Sequence, residues 1–155
     1  MEIGAGSKAP EVSLPVPGGG SVSLSDLRGR KIVLYFYPKD DTSGCTREAI
    51  DFTQLKTAFE AADTAVIGVS PDSPASHERF HRKHGLDLLL ASDEKRTAIE
   101  AYGVWTEKSM YGRKYMGVER STFLIGRDGR IAKAWRKVKV PGHAQEVLEA
   151  ARDLP

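Results

Sequence analysis

Strands and helices alternate along the 155 residues in an order that predicts an α/β fold, with a mixed central sheet flanked by helices and an N-terminal β-hairpin. Three observations carry this reading. Ile32 to Tyr37 is a continuous β-prone apolar run, the pattern of a central strand buried on both faces. Ala49, Phe52, Leu55, Phe59 and Ala62 recur at spacings of three or four and mark one face of a helix starting near Gly44. Ser121 to Ile125 and Ile131 to Trp135 flank Arg127-Asp128-Gly129-Arg130, a hairpin that adds antiparallel strands to an otherwise parallel arrangement.

The remaining elements follow in order. Val12-Ser13-Leu14 and Val22-Ser23-Leu24 alternate on either side of Gly18-Gly19-Gly20 and read as the first hairpin. Ser25-Asp26-Leu27 reads as a helical turn capped by Ser25. Pro38 ends the central strand, because proline cannot donate to a ladder. After the helix that follows, Thr64 to Ser70 is the next buried strand. Ser73-Pro74 is a helix start and Gly85 its left-handed stop. Leu88 to Ala91 is a short strand, Glu94 to Tyr102 a helix ended by Gly103, and Ala144, Val147, Leu148 and Ala151 face one side of a last helix.

The length suits one domain spanning 1–155 and needs no disulfide or metal to bury a core. Hydrophobic residues at 40% exclude a disordered chain, and the longest apolar run, Ile32 to Tyr37, is far too short to cross a bilayer. Met1 to Lys8 lacks the basic start and apolar stretch of a secretory signal, and a single cysteine cannot build a disulfide framework, so the expected location is cytoplasmic. Net charge is only +2, but between Gly112 and Val140 nine Lys or Arg stand against two Asp or Glu. No aromatic residues interleave with these charges as in a single-strand-binding platform, so the stretch reads as a solvated strand surface rather than a nucleic-acid site.

Cys45 is the chemical centre of the sequence. An isolated cysteine is by default a small buried hydrophobe, but three features argue for a nucleophile. Cys45 falls in the first turn of a predicted helix, where unpaired N–H groups and the positive dipole end stabilise a thiolate. It follows Thr42-Ser43-Gly44, small polar residues that leave the sulfur reachable. It also lies just beyond the C-terminal end of a central strand, where ligands of open α/β sheets bind. A strand, a short loop and a helix opening on a cysteine is the arrangement of thioredoxin-like folds.

Pro38-Lys39-Asp40-Asp41-Thr42-Ser43-Gly44-Cys45-Thr46-Arg47-Glu48 resembles the active-site loop of peroxiredoxins, nearest to the bacterioferritin comigratory protein or Q-type subgroup. Ala9-Pro10, Val69-Ser70-Pro71-Asp72 and Glu119-Arg120-Ser121-Thr122-Phe123-Leu124-Ile125 extend the resemblance over nearly the whole chain. It implies a thioredoxin-like peroxidase acting on hydrogen peroxide and organic hydroperoxides, serving antioxidant defence and using no metal, haem or flavin. Cys45 would be the peroxidatic thiolate that becomes a sulfenic acid. Thr42 would turn its hydroxyl toward sulfur and peroxide, and Arg120 would hold the thiolate and orient the peroxide with its cationic fork. Pro38 would shield the sulfur from water, and the N–H groups of Gly44 and Cys45 would take developing charge on oxygen.

The departures from the family matter as much. Thr42-Ser43-Gly44-Cys45 has no second thiol, so dithiol exchange within one chain is excluded. A resolving cysteine five residues after the first would stand at Ile50, and another known position falls near His81. With neither present, the expected mechanism is one-cysteine, with thioredoxin, a glutaredoxin or a small thiol as external reductant and the protein a monomer or weak dimer. Ser43 replaces a proline and is expected to loosen the loop. The alternative is a non-enzymatic redox sensor that passes oxidised Cys45 to a partner as a mixed disulfide. His77, His81 and His84 line up on one helix face, read as solvated among Glu78, Arg79, Arg82 and Lys83 rather than as a metal site. Trp105, Tyr111 and Tyr115 are expected in core packing, in a loop hinge or on a pocket wall.

Overall fold

A computed structural model describes residues 3–155 of the chain. β1 (Ser13–Pro15) and β2 (Ser21–Ser23) pair antiparallel with Leu14 opposite Val22, and they form the expected N-terminal hairpin. A 3-10 turn at Ser25–Leu27 follows. Ser25, expected as its cap, is already its first residue: the N-cap position falls on Leu24, which has no capping side chain, and Ser23 Oγ just before it accepts the Asp26 N–H at 3.3 Å.

β3 (Lys31–Phe36) is buried throughout. α1 (Ser43–Gln54) and α2 (Lys56–Ala61) replace the single predicted helix, broken where Leu55 leaves helical geometry at φ −99° and ψ 6°. The break keeps Phe52 and Phe59 in one apolar cluster on the same side of the sheet. β4 (Thr64–Ser70) and α3 (Pro74–His84) follow their sequence signals: Ser73 Oγ caps the Ser76 N–H, and Gly85 closes the helix at φ 60°. β5 (Leu89–Ser92) precedes α4 (Thr97–Ala101), which starts later than expected. Asp93 sets that start, since its carboxylate accepts the N–H groups of Thr97 and Ile99 at 2.9 and 2.8 Å.

β6 (Trp105–Met110) and β7 (Arg113–Val118) form a hairpin absent from the sequence-based order. Its turn, Tyr111-Gly112, takes positive φ at both residues, the backbone of a tight primed turn. Most of its residues are exposed, so no apolar alternation advertises it. β8 (Ser121–Ile125), β9 (Ile131–Trp135) and α5 (His143–Asp153) complete the chain.

The central sheet runs β5-β4-β3-β8-β9: parallel from β3 to β5, antiparallel from β3 through β8 to β9. Period-two alternation divides the core. Ile32, Leu34 and Phe36 face the cluster that includes the first hairpin and α4, while Val33 and Tyr35 face α1, α2, α3 and α5. Tyr35 lies over Gly68, where a Cβ would stand 2.7 Å from its ring, and stacks on Phe52 at 4.7 Å. The buried Lys31 ammonium donates to the carbonyls of Ala151 and Leu154, capping the end of α5.

His143 opens α5 in the same core, with Nε2 2.8 Å from Thr122 Oγ1 on β8 and its ring edge-on to Phe52 and Trp135. Burial holds it neutral, with its pKa lowered to about 4. The unfolded chain, with an ordinary histidine near 6.5, therefore takes up a proton that the folded chain refuses between those values. Relative to a His143→Gln variant, the parent should lose up to about 3 kcal/mol of stability between pH 7 and pH 4. Urea unfolding of both proteins across that range measures the difference, and parallel curves would show that His143 is not buried neutral.

Candidate active site

The C-terminal end of β3 carries the chain into the loop Pro38 to Thr42 and then into α1. Asp40 fixes this loop from inside. Its carboxylate accepts from Tyr37 Oη at 2.6 Å, Ser76 Oγ at 2.8 Å and His77 Nδ1 at 2.7 Å, and its backbone N–H donates to Asp72. Burial works against the charge, but the bonds from His77, Tyr37 and Ser76 outweigh it and hold Asp40 below the usual carboxylate range. Asp41, at φ 59°, reaches Lys83 and His84 on α3 at 2.6 and 2.8 Å.

The three histidines are therefore not a solvated row. His77 is fully buried between Asp40 and the Ala91 carbonyl, His81 bonds the Leu88 carbonyl, and His84 bonds Asp41. Among the described residues, no cluster of three or more His, Cys, Asp or Glu is placed to hold a metal ion.

Thr42 occupies the N-cap position of α1, and its carbonyl accepts the Thr46 N–H at 2.8 Å. Its hydroxyl donates to Lys39 O at 2.9 Å and not toward the sulfur as expected, since the backbone three residues earlier in the same loop takes it up. Cys45 is the third residue of α1, so the N–H groups of Ser43, Gly44 and Cys45 precede the first intrahelical bond. The sulfur is a free thiol and the residue is 1% exposed, where the small polar residues before it suggested an accessible one. Pro38 is half-buried at the start of the loop.

Arg120 reaches this point from the strand beside β3. The antiparallel register sets Ser121 opposite Phe36, which brings Arg120 level with the end of β3, and Arg120 O accepts the Val138 N–H at 3.0 Å. Its Nη2 donates to Cys45 Sγ at 3.3 Å and its Nη1 to Glu48 Oε1 at 2.7 Å. Gly44 makes room for the fork: a Cβ there would lie 3.1 Å from Nη2. Much of the basic stretch around Arg120 does lie exposed, as Lys114, Arg127 and Lys133 do, but Arg120 turns inward and its side chain is 17% exposed.

Glu48 is the residue that sequence reasoning missed. It is 1% exposed, and burial raises its pKa to about 7 against the opposing pull of Arg120. One oxygen, Oε2, has no partner, and neither has the buried hydroxyl of Tyr35 below. The available signal was spacing alone: Glu48 stands three residues after Cys45, on the same helix face. The structure brings Cys45, Gly44 and Arg120 together with Thr42 and Pro38 on the adjoining loop. Trp105 is half-buried beneath the Arg96 guanidinium, whereas Tyr111 is 98% exposed and Tyr115 is also outside the core, since the unforeseen hairpin carries both outward. Ile50 is half-buried on α1, and Cys45 is the only cysteine of the chain.

Residues 5–134 match the model of the AhpC/TSA family. Peroxiredoxin Bcp of Bacillus subtilis (strain 168) is 49% identical over 154 residues, covering 99% of this chain and 98% of its own. The bacterioferritin comigratory protein of Xanthomonas campestris, whose structures concern its alkyl peroxide reduction activity, superposes with a TM-score of 0.86 at 44% identity, over 91% of this chain and 90% of that one. Peroxiredoxin PrxQ of Xylella fastidiosa reaches 0.87 at 44% identity, over 97% and 94%. With a matched model over most of its length and full-length relatives near half identity, the chain belongs to the AhpC/TSA family.

Proposed function

We propose that this protein is a thiol-dependent peroxidase for hydrogen peroxide and organic hydroperoxides, with Cys45 as its nucleophile. The observation that carries the reading is the 3.3 Å contact from the Arg120 guanidinium to a sulfur in the first turn of α1. The cation and the helix N-terminus both stabilise negative charge on sulfur. The thiolate attacks one peroxide oxygen, the O–O bond breaks, and Cys45 becomes a sulfenic acid. The other oxygen leaves as hydroxide or alkoxide and takes up a proton to give water or an alcohol. Arg120 and the N–H groups of Gly44 and Cys45 receive the developing charge. Thr42 joins them by rotating its hydroxyl away from Lys39 O, and Pro38 screens the sulfur from bulk water.

Because the chain has one cysteine, the second half-reaction uses an external thiol. That thiol displaces water from the sulfenic acid to form a mixed disulfide, and a second thiol releases Cys45. Thioredoxin, a glutaredoxin or a small thiol would fill this role. The buried sulfur must be uncovered for the step, so the first turn of α1 and its loop open between half-reactions. A single domain over 1–155, working as a monomer in the cytoplasm in antioxidant defence and redox homeostasis, completes the reading. Among the described residues no helix is long and apolar enough to cross a membrane.

Cys45→Ser should abolish peroxide consumption while leaving the circular dichroism spectrum unchanged, since serine is nearly isosteric but scarcely ionised at neutral pH. Turnover near that of the parent would place the chemistry elsewhere.

Intact mass spectrometry follows the same cysteine. One equivalent of peroxide should add one oxygen, excess peroxide a second, and a donor thiol should convert the first product into an adduct. A covalent dimer as the main product at low protein concentration would instead assign resolution to a second copy of the chain.

A further inference from the structure

The β6–β7 hairpin carries a cation that the mechanism above does not use. Lys108 pairs across the hairpin with Tyr115, and the register puts Thr106, Lys108 and Met110 on one face with Arg113, Tyr115 and Gly117. The Lys108 stem runs diagonally over Gly117. Its Cδ and Cε lie 3.3 and 3.6 Å from where a Gly117 Cβ would stand, and Tyr115 Cε2 flanks the same spot at 3.4 Å. Gly117 thus leaves the space through which the lysine points back along β7 toward its base, where the chain continues through Glu119 to Arg120.

Among the described residues, Lys108 makes no hydrogen bond or ion pair, whereas Lys114 on the opposite face meets Glu107 at 3.6 Å. Its charge is half-buried, and burial followed by repulsion from Arg120 lowers its pKa, while Cys45 and Glu119 pull it the other way. Lys108 thus points toward the segment that carries Arg120, and of these two cations Arg120 alone has a carboxylate bonded to it. An ammonium held in that position and left without a partner suits a transient anion. Tyr115, exposed on the same face and with its ring beside the lysine stem at Gly117, offers that ligand an apolar flank.

We propose that Lys108 forms a carboxylate-binding subsite at the mouth of the active site, which selects substrates carrying a carboxylate close to the reacting oxygen or sulfur. This rests on the peroxidase reading, and the shared chemistry admits two sources, the peroxide or the reducing thiol. The test compares the parent, Lys108→Met and Lys108→Arg with two matched pairs of probes: peroxysuccinate against peroxypropionic acid, and mercaptoacetate against mercaptoethanol. Stopped-flow rate constants give a charged-to-neutral ratio for each pair. In Lys108→Met that ratio should fall about three- to tenfold for one pair, Lys108→Arg should restore it, and added salt should shrink the parent's preference. A fall in the peroxide pair assigns the carboxylate to the oxidant, and a fall in the thiol pair assigns it to the reductant. Unchanged ratios in both pairs, or a loss that Lys108→Arg does not restore, would overturn the proposal. A parent protein that fails to consume hydrogen peroxide would instead overturn the peroxidase reading on which it rests.

Discussion

A single guanidinium held between a buried thiol and a buried carboxylate is the interaction on which the rest of the site depends. Arg120 spans Cys45 and Glu48, two residues one helical turn apart, and its charge opposes the burial that disfavours an ionised Glu48. The requirement extends into the fold. β8 must lie antiparallel beside β3 so that its first residues meet the N-terminus of α1, and position 44 must lack a side chain so that the fork can pass. Glu48 in turn sits close to balance between its two protonation states, because burial pushes its pKa up to about 7 while Arg120 opposes the rise.

The loop before Cys45 is held by different means. Asp40 accepts from three side-chain donors, and Asp41 in a left-handed conformation bonds Lys83 and His84 on α3. These bonds fix the course of the loop that leads into the first turn of α1. The Asp40–His77 contact is buried within this brace. Removing one partner of such a buried pair leaves the other uncompensated, at a cost of about 3 to 5 kcal/mol.

Much of this architecture was legible because its signals are local. The strand Thr64–Ser70, the helix opened by Ser73-Pro74 and stopped by Gly85, and the closing hairpin each declare themselves through apolar runs, caps and turn glycines. What escaped depends on partners distant in sequence or on surfaces with no burial pattern. His77 reads as part of an exposed charged face until Asp40, 37 residues earlier, folds against it. The β6–β7 hairpin is exposed over most of its length, so it has no apolar periodicity to show. Asp93 shortens α4 through bonds that span four and six residues, outside the usual capping distance. At the site, Cys45 was legible from its place in the first turn of a helix after a central strand, Arg120 came from the family resemblance, and Glu48 became visible only through its contact with Arg120.

The central claim is that Arg120 stabilises the charge that develops at Cys45. The second-order rate constant for oxidation of Cys45 by hydrogen peroxide, measured by stopped flow in the parent and in Arg120→Met, tests it most directly. Methionine keeps much of the apolar stem, and Glu48, already near its point of neutrality, can take a proton, so the variant should remain folded. The account predicts a rate about a hundredfold to a thousandfold lower, the scale of losing one preorganised donor. A folded variant that reacts at the parent's rate would contradict it.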